Sequence, residues 1–418
     1  MKAPDTAPPG YHGSQELFIR SAPVPDEPSI PAWADQERGP HKAVTLGTHR
    51  VVTADSTWQR AYQAFPVVGI TRVADLTGLD EIGIPVWQAV RPNAATLSVS
   101  QGKGVTHELA RVSAAMESIE LWHAEQERAP DVVDSLANLR PALTYNVRRL
   151  HLAAGSLLTD GLRIPWIEGE DVLTRTRTVV PLEYVMLDDV PPDQLSAPLF
   201  VRSSNGLASG NTADEATLHG LLEILERDLT VAAGKSSLDY GRVNLDSIAD
   251  VCSRALVDLL LSADVHLRVT DCGSDGIACF AASIWSADFP CVFDGFGCHF
   301  DRDVALARAL TEAAQSRLTA VSGARDDLPG TVYRDVRLTS SSRRPPWPPE
   351  SVRTGVRFAD IATTCRSAIE DDVRAAAWLI AVRTGHSPIV VDLSRPEVGI
   401  PVVRVVGPGL SMGRSRAA

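Results

Sequence analysis

No apolar run in the sequence approaches the roughly 18 to 20 residues that a membrane-spanning helix needs. The opening residues, Met1 to Asp5, lack the apolar h-region of a signal peptide, so a cytoplasmic location is expected by default. Basic residues are in deficit: 40 Lys and Arg against 52 Asp and Glu leave a formal charge of −12. A chain of that sign is a poor non-specific partner for nucleic acid or an anionic membrane. None of the six cysteines (Cys252, Cys272, Cys279, Cys291, Cys298, Cys365) forms a Cys-x-x-Cys pair, and the nearest neighbours leave six residues between them. Zinc knuckles and redox motifs therefore drop out, and reduced, mostly buried thiols are expected. The phosphate-binding signature Gly-x-x-x-x-Gly-Lys-Ser/Thr is absent, as are kinase and Rossmann signatures.

What is present is an ordinary globular composition, 44% hydrophobic and 22% charged over 418 residues. That length exceeds the usual single-domain range and suggests two or three lobes, or one large α/β domain with an extra flap. Eight prolines and no periodicity mark residues 1–40 as a flexible extension, leaving 41–418 for the folded domain. Structure is expected to begin near Gly47. β-like runs follow at Val67–Thr71 and Ala95–Ser100, then a glycine-bearing segment (Ser100–Thr106) and a helix from His107 to about Glu127. Strand patterns at Leu162–Glu168 and Val179–Leu187 precede a second glycine segment, Ser204–Thr212, and a helix over Ala213–Ala233. Helices at Asp246–Ser262 and Arg302–Val321 flank strands at His266–Thr270 and Ala278–Trp285. A polar, Pro-rich loop over 326–355 leads to a helix (Ala368–Thr384) and strands at Pro388–Asp392 and Pro401–Val406. Helices and strands interleave throughout, so the class is mixed α/β.

The two glycine segments repeat. Lys103-Gly-Val-Thr106 lies over Ser209-Gly-Asn-Thr212, with Glu108 and Glu215 as the paired first-turn acids. Behind them Ser113, Glu117 and Glu120 superimpose on His219, Glu223 and Glu226, each set at i, i+4 and i+7 on one helical stripe. The neighbouring stripe is apolar in both helices (Val112, Met116, Ile119; Leu218, Leu222, Leu225), which suggests two similar units about a pseudo-two-fold. One such helix alone reads as a solvated acidic face. Repetition behind the same turn puts a convergent site on level terms with that reading. Converging carboxylates repel by about 4 kcal/mol per pair at 4 Å and an effective dielectric near 20, so a real cluster needs protons or cations. Hard oxygen donors favour Mg²⁺, which commonly also ligates phosphate oxygens. Gly-rich turns at helix N-termini suit those phosphates. The cations available to a transferring phosphate are Lys103, Arg227 and Arg317, the last on a helix beside Gln315.

These residues resemble the YcaO family. The resemblance rests on Ser204–Asp228, on Ser100–Gly104 with Ser113-x-x-x-Glu117-x-x-Glu120, on Glu312–Arg317 and on Pro401–Leu410, and it covers about residues 65–410. It implies an ATP-grasping α/β fold with ATP between the two glutamate-bearing helices. By position, Ser113, Glu117 and Glu120 would bind ATP and Mg²⁺ on one side, with Asn211, Glu215, Glu223, Glu226 and Arg227 on the other. Gln315 and Arg317 would hold phosphates. Glu226, Arg227 and Arg317 would be catalytic. Arg50 and Thr57 stand where relatives carry a nucleotide-touching Lys and Ser, and Ala208 where some carry Ser. The implied reaction is O-phosphorylation of a peptide backbone amide followed by substitution. The sequence ends Gly407-Pro-Gly-Leu-Ser-Met412 and onward without the Pro-x-Pro-x-Pro tail of azoline-forming members, while Gly69–Asp80 and Gly83–Pro92 resemble TfuA-paired members. Thioamide formation is thus the first expectation, and a stand-alone azoline- or amidine-forming enzyme the second. A non-catalytic docking protein is the rival class. The implied partners are a precursor peptide, a TfuA-like or separate peptide-recognition protein, and a second copy in a homodimer.

Overall fold

Helix α1 (Ala54–Val68) opens the fold, capped by Thr53, whose hydroxyl accepts from the Ser56 amide, and stopped by Gly69 at φ 78°. The computed structural model describes residues 42–43, 46–187, 198–235, 241–325, 330, 333, 344–347 and 355–412, and these belong to one compact unit. The proline-rich extension and most of the 326–355 loop lie outside them. α1 corrects the β-like run expected at Val67–Thr71. Its β-branched residues beside Pro66 look extended locally, but Ala61, Ala64 and Val68 bury one face of a helix.

An antiparallel meander follows, β1 (Arg72–Asp75), β2 (Val86–Val90) and β3 (Val99–Lys103). Helix α2 (His107–Glu125) starts at Thr106, whose hydroxyl accepts from the Leu109 amide. β4 (Val132–Ser135), β5 (Arg163–Asp171) and β6 (Arg177–Pro181) come next. The strand expected over Val179–Leu187 stops at Pro181, where Leu182–Val185 turn into one helical turn. The second repeat is β7 (Leu207–Ser209) with α3 (Ala213–Lys235). Then come β8 (Val243–Asn244), α4 (Val251–Ser262), β9 (His266–Asp271), β10 (Ala278–Trp285), β11 (Phe293–His299), α5 (Arg302–Ser322), β12 (Val356–Arg357), α6 (Ile369–Thr384), β13 (Ile389–Asp392) and β14 (Val402–Val406). The six-stranded sheet runs β4-β5-β13-β14-β7 with β6 on β5, and a second three-stranded sheet runs β11-β10-β9. β11 was missed because Gly295 and Gly297 dilute its strand pattern.

Glycine sets the depth at which the helices seat. A Cβ on Gly104 would meet Ala110 N at 2.6 Å and Leu109 Cβ at 2.7 Å; on Gly210 it would meet Ala216 N at 2.5 Å and Glu215 Cβ at 2.7 Å. The repeat is thus real in three dimensions, and its register pairs Glu215 with Leu109, correcting the Glu108 pairing. On β3, a Gly102 Cβ would sit 2.0 Å from Ala114 N and 2.3 Å from Ala110 O, and Gly295 on β11 meets Ala313 N and Ala309 O at 2.1 and 2.3 Å. These are backbone atoms, which cannot rotate away. Gly102→Ala should therefore cost about 3 kcal/mol or more by forcing α2 off its sheet. Thermal melts check this against Gly161→Ala, whose Cβ meets nothing within 4 Å and should change stability little.

Candidate active site

Helices α2, α3 and α5 converge on one patch of charge. α2 contributes Glu117 and Glu120, α3 contributes His219, Glu223, Glu226 and Arg227, and α5 contributes Arg308 and Glu312, all but Arg227 half-buried. The apolar stripes beside them pack inward: Met116, Ile119, Leu218, Leu222 and Leu225 are buried. The acidic stripes therefore have no route into the core and face each other at its edge.

Burial is the largest influence on Glu117, Glu120, Glu223 and Glu226, and neighbouring acids push the same way while neighbouring cations oppose. Glu120 is pushed up to about 8 by burial and by Glu117 and Glu223, against hydrogen bonds from the Ser209 amide (2.8 Å) and hydroxyl (2.6 Å). Glu226 is pushed up to about 7 by burial and by Glu312, with Arg308, Arg227 and Lys103 opposing. Burial also raises Glu117 and Glu223. Such groups are held as carboxylates only when a cation joins them. Desolvation drives His219 well below its ordinary range, with Arg308, Arg50 and Lys103 pushing the same way, so it is neutral.

The expected residues separate into two sets. Those brought to the patch include Lys103, whose Nζ lies 2.8 Å from Glu312 Oε2, and Arg227, 3.5 Å from Glu223 Oε1. Ser113 is half-buried on the same stripe of α2. Arg50 lines a cleft with Thr48, His49, Glu215, His219, His299 and Arg308. Glu215 is already saturated by the Asn211 amide and side chain (both 2.8 Å) and the Val51 amide (2.5 Å). With Thr57 donating to Asn211 Oδ1 at 2.9 Å, Glu215 and Asn211 fasten the N-terminal segment to the start of α3. They position the cleft wall.

Gln315 and Arg317 depart from expectation. Gln315 Nε2 donates to Gln101 O at 2.7 Å, tying α5 to β3. Arg317 is 4% exposed and turned the other way: its guanidinium meets Asp80 (2.8 Å), Asp288 (2.8 Å) and Ser286 (2.5 Å). Arg308, nine residues earlier and so about half a turn round the helix, is the α5 arginine that acts on Glu223, Glu226, His219 and Arg50. Arg308 and Glu312 were missed, though with Gln315 they repeat the i, i+4, i+7 spacing of the two recognised stripes. Arg404 on β14 was missed too. It is 1% exposed, its Nη2 donates to Tyr184 O at 3.3 Å, and its charge acts on Glu223 from beneath.

The raised carboxyls have a thermodynamic signature. Folded Glu120 and Glu226 hold protons to about pH 8 and 7, against an ordinary 4.5, so the folded chain binds more protons than the unfolded one. Stability then falls with rising pH. Neutral His219 and His299 act with the opposite sign, but only up to the ordinary histidine range near 6.5. Between about pH 7 and 8.5 the ligand-free protein should lose roughly 2 °C of Tm, checked by calorimetry. A flat or rising profile there would contradict this arrangement.

The family described as YcaO cyclodehydratase, ATP- and Mg²⁺-binding, matches residues 101–411. An uncharacterized Mycobacterium tuberculosis protein is 39% identical over 402 residues, 92% of this chain and 88% of that one. A Rhizobium leguminosarum bv. trifolii protein from the tfuA 3′ region is 34% identical over 390 residues, 87% and 89% of the two chains. Among solved structures, YcaO from Methanopyrus kandleri bound with AMPPCP and Mg²⁺ superimposes with a TM-score of 0.67 at 24% identity, covering 89% of this chain and 94% of that one. A heterocyclase in complex with substrate and cofactor gives 0.74 at 21% identity over 90% of this chain, which spans about half (54%) of that larger protein. Both structural matches speak to the fold. No helix among the described residues is long and apolar enough to cross a membrane.

Proposed function

Because the chain belongs to the YcaO family, we propose that it uses ATP and Mg²⁺ to phosphorylate a peptide backbone amide oxygen, which a nucleophile then displaces. The observation that carries this reading is the meeting of Glu117, Glu120, Glu223, Glu226, Glu312, Arg227 and Arg308 from three helices with Lys103 at the end of β3. The donors are hard oxygens, and the raised proton affinity of Glu117, Glu120, Glu223 and Glu226 reports a cluster short of cations, so the residues fit Mg²⁺ and the phosphates of ATP. Glu117, Glu120, Glu223 and Glu226 would hold Mg²⁺, which when bound supplies charge neutralisation for carboxylates and phosphate oxygens alike. Lys103, Arg308 and Arg227 are the donors for phosphate oxygens, with Ser113 and Arg50 beside them. The charge of buried Arg404 favours the ionised form of Glu223.

The chemistry answers an energetic problem. Amide resonance, worth a rotation barrier of about 18–20 kcal/mol, leaves the carbonyl a poor electrophile and its oxygen a poor leaving group. Moving the γ-phosphoryl onto that oxygen breaks the bond to ADP and makes phosphate the group that leaves. Fixed cations beside the half-buried carboxylates stabilise the charge as it moves. Sulfide as nucleophile gives a thioamide. This product is favoured by the relative from the tfuA region, and the substrate would be a precursor peptide presented with a TfuA-type partner. Cyclodehydration to an azoline or amidine is the second reading, favoured by the family description.

Incubation with ATP, Mg²⁺ and candidate peptides, with and without sulfide and a TfuA-type protein, separates these readings by intact mass. Because the exchange of an amide oxygen for sulfur is a substitution at the activated carbon, a sulfide-dependent gain of about 16 Da is expected. A loss of about 18 Da moves the product to azoline or amidine. No mass change together with no ATP binding would leave only the docking-protein reading.

A further inference from the structure

Beside the nucleotide cleft, three residues from distant parts of the chain bring different ligand atoms together. A nitrogen of His49, an oxygen of Asp301 and the sulfur of Cys365 all lie within 4.8 Å of one another. His49 Nε2 is 3.4 Å from Asp301 Oδ2, and Cys365 Sγ is 3.9 Å from the same oxygen. For metal–ligand bonds of about 2.0–2.3 Å, the edges of a tetrahedron are about 3.3–3.8 Å. The His49–Asp301 spacing falls within that range and the Cys365–Asp301 spacing lies just beyond its upper end, so small side-chain movements bring the three atoms round a common centre.

The bonding around the cluster leaves these atoms uncommitted to other work. Asp301 caps α5 through Oδ1, which accepts from the Asp303 amide at 2.9 Å, so Oδ2 is the oxygen turned to His49 and Cys365. His49 is 5% exposed and its Nδ1 has no hydrogen-bond partner. The His299 ring stands edge-on to it at 4.8 Å and accepts from the Asp301 amide at 3.0 Å, which holds Asp301 in place.

We propose that His49, Asp301 and Cys365 bind one borderline divalent transition ion, zinc being the natural candidate for an N, O, S donor set. Binding expels the Cys365 proton to solvent and leaves the fourth coordination position to water. The absence of a Cys-x-x-Cys pair excluded knuckle-type sites only; this one is assembled by the fold. It is distinct from the carboxylate patch, whose donors are oxygens. Its consequence is mechanical: the ion would staple the segment carrying Arg50 to the start of α5, from whose first three turns Arg308 and Glu312 emerge.

The test uses the full chain stripped with chelator and titrated with Zn²⁺, and separately with Co²⁺. About one equivalent of zinc should bind, and the cobalt form should show a sulfur-to-cobalt absorption band in the near ultraviolet. Cys365→Ser should abolish that band and weaken zinc binding at least tenfold, while Cys291→Ser should leave both unchanged. His49→Gln should weaken binding similarly, and Glu226→Gln should leave zinc binding intact, which separates this site from the nucleotide site. Substoichiometric zinc in the titrated chain, a cobalt spectrum without the sulfur band, or binding indifferent to Cys365→Ser would each overturn the proposal.

Discussion

Replacing Glu120 with glutamine should make the ligand-free protein more stable and the enzyme inactive. The side chain is held near pKa 8 by burial and by Glu117 and Glu223, against 4.5 ordinarily. Its carboxyl thus works against folding at neutral and higher pH, and an uncharged isostere removes that cost. Allowing for the access of a half-buried group to water, the gain at pH 8 is about 2–3 kcal/mol. Glutamine keeps an oxygen to accept from Ser209, so α2 and β7 stay joined. It cannot help hold a divalent cation, and ATP turnover should fall by about 10²-fold or more. Thermal melts without ligand and phosphate release with Mg²⁺ and ATP measure the two effects on one preparation. A variant that melts lower, or that turns over normally, would show that Glu120 is an ordinary surface acid. Stability opposed to function is the mark of like charges kept together for a ligand.

The two arginines of α5 should fail in opposite ways. Arg308 acts on Glu223 and Glu226 across the cleft. Arg308→Ala should cut turnover by about 10²–10³-fold, as loss of a preorganised cation does, while leaving a folded protein. Arg317→Ala would strand Asp80, whose side chain is 5% exposed and receives two of the guanidinium nitrogens. Removing one partner of a buried pair costs about 3–5 kcal/mol, so this variant should melt far lower or fail to accumulate. The pair of Tm values decides it: a stable but inactive Arg317→Ala would restore that residue to the phosphate site.

Much of this site was readable before the fold was known, and the reason is periodicity. The i, i+4, i+7 stripes of α2 and α3 and their shared Gly-x-Thr entry are local signals that survive folding unchanged, because a helix fixes which residues share a face. Gly104 and Gly210 were legible for the same reason: they seat the two helices by equivalent backbone contacts. Direction round α5 was not legible from the fragment Thr311–Arg317 alone. The heptad Arg308, Glu312, Gln315 holds the missing stripe, and the Asp80 that claims Arg317 is 237 positions away. α1 was hidden by Val67, Val68 and Ile70 beside Pro66, where burial of a helical face overrode local β preference. Arg404 and the His49–Asp301–Cys365 cluster are long-range assemblies with no local pattern to read.

Transfer of the γ-phosphoryl to an amide oxygen can be followed without knowing which nucleophile comes next. A substrate peptide whose backbone carbonyls carry heavy oxygen would be incubated with the protein, ATP and Mg²⁺, and the released phosphate analysed by mass. Heavy oxygen appearing in phosphate, one atom for each modified peptide, is the predicted result. Unlabelled phosphate alongside modified peptide would mean that ATP is consumed elsewhere, and the three-helix site would need another chemistry.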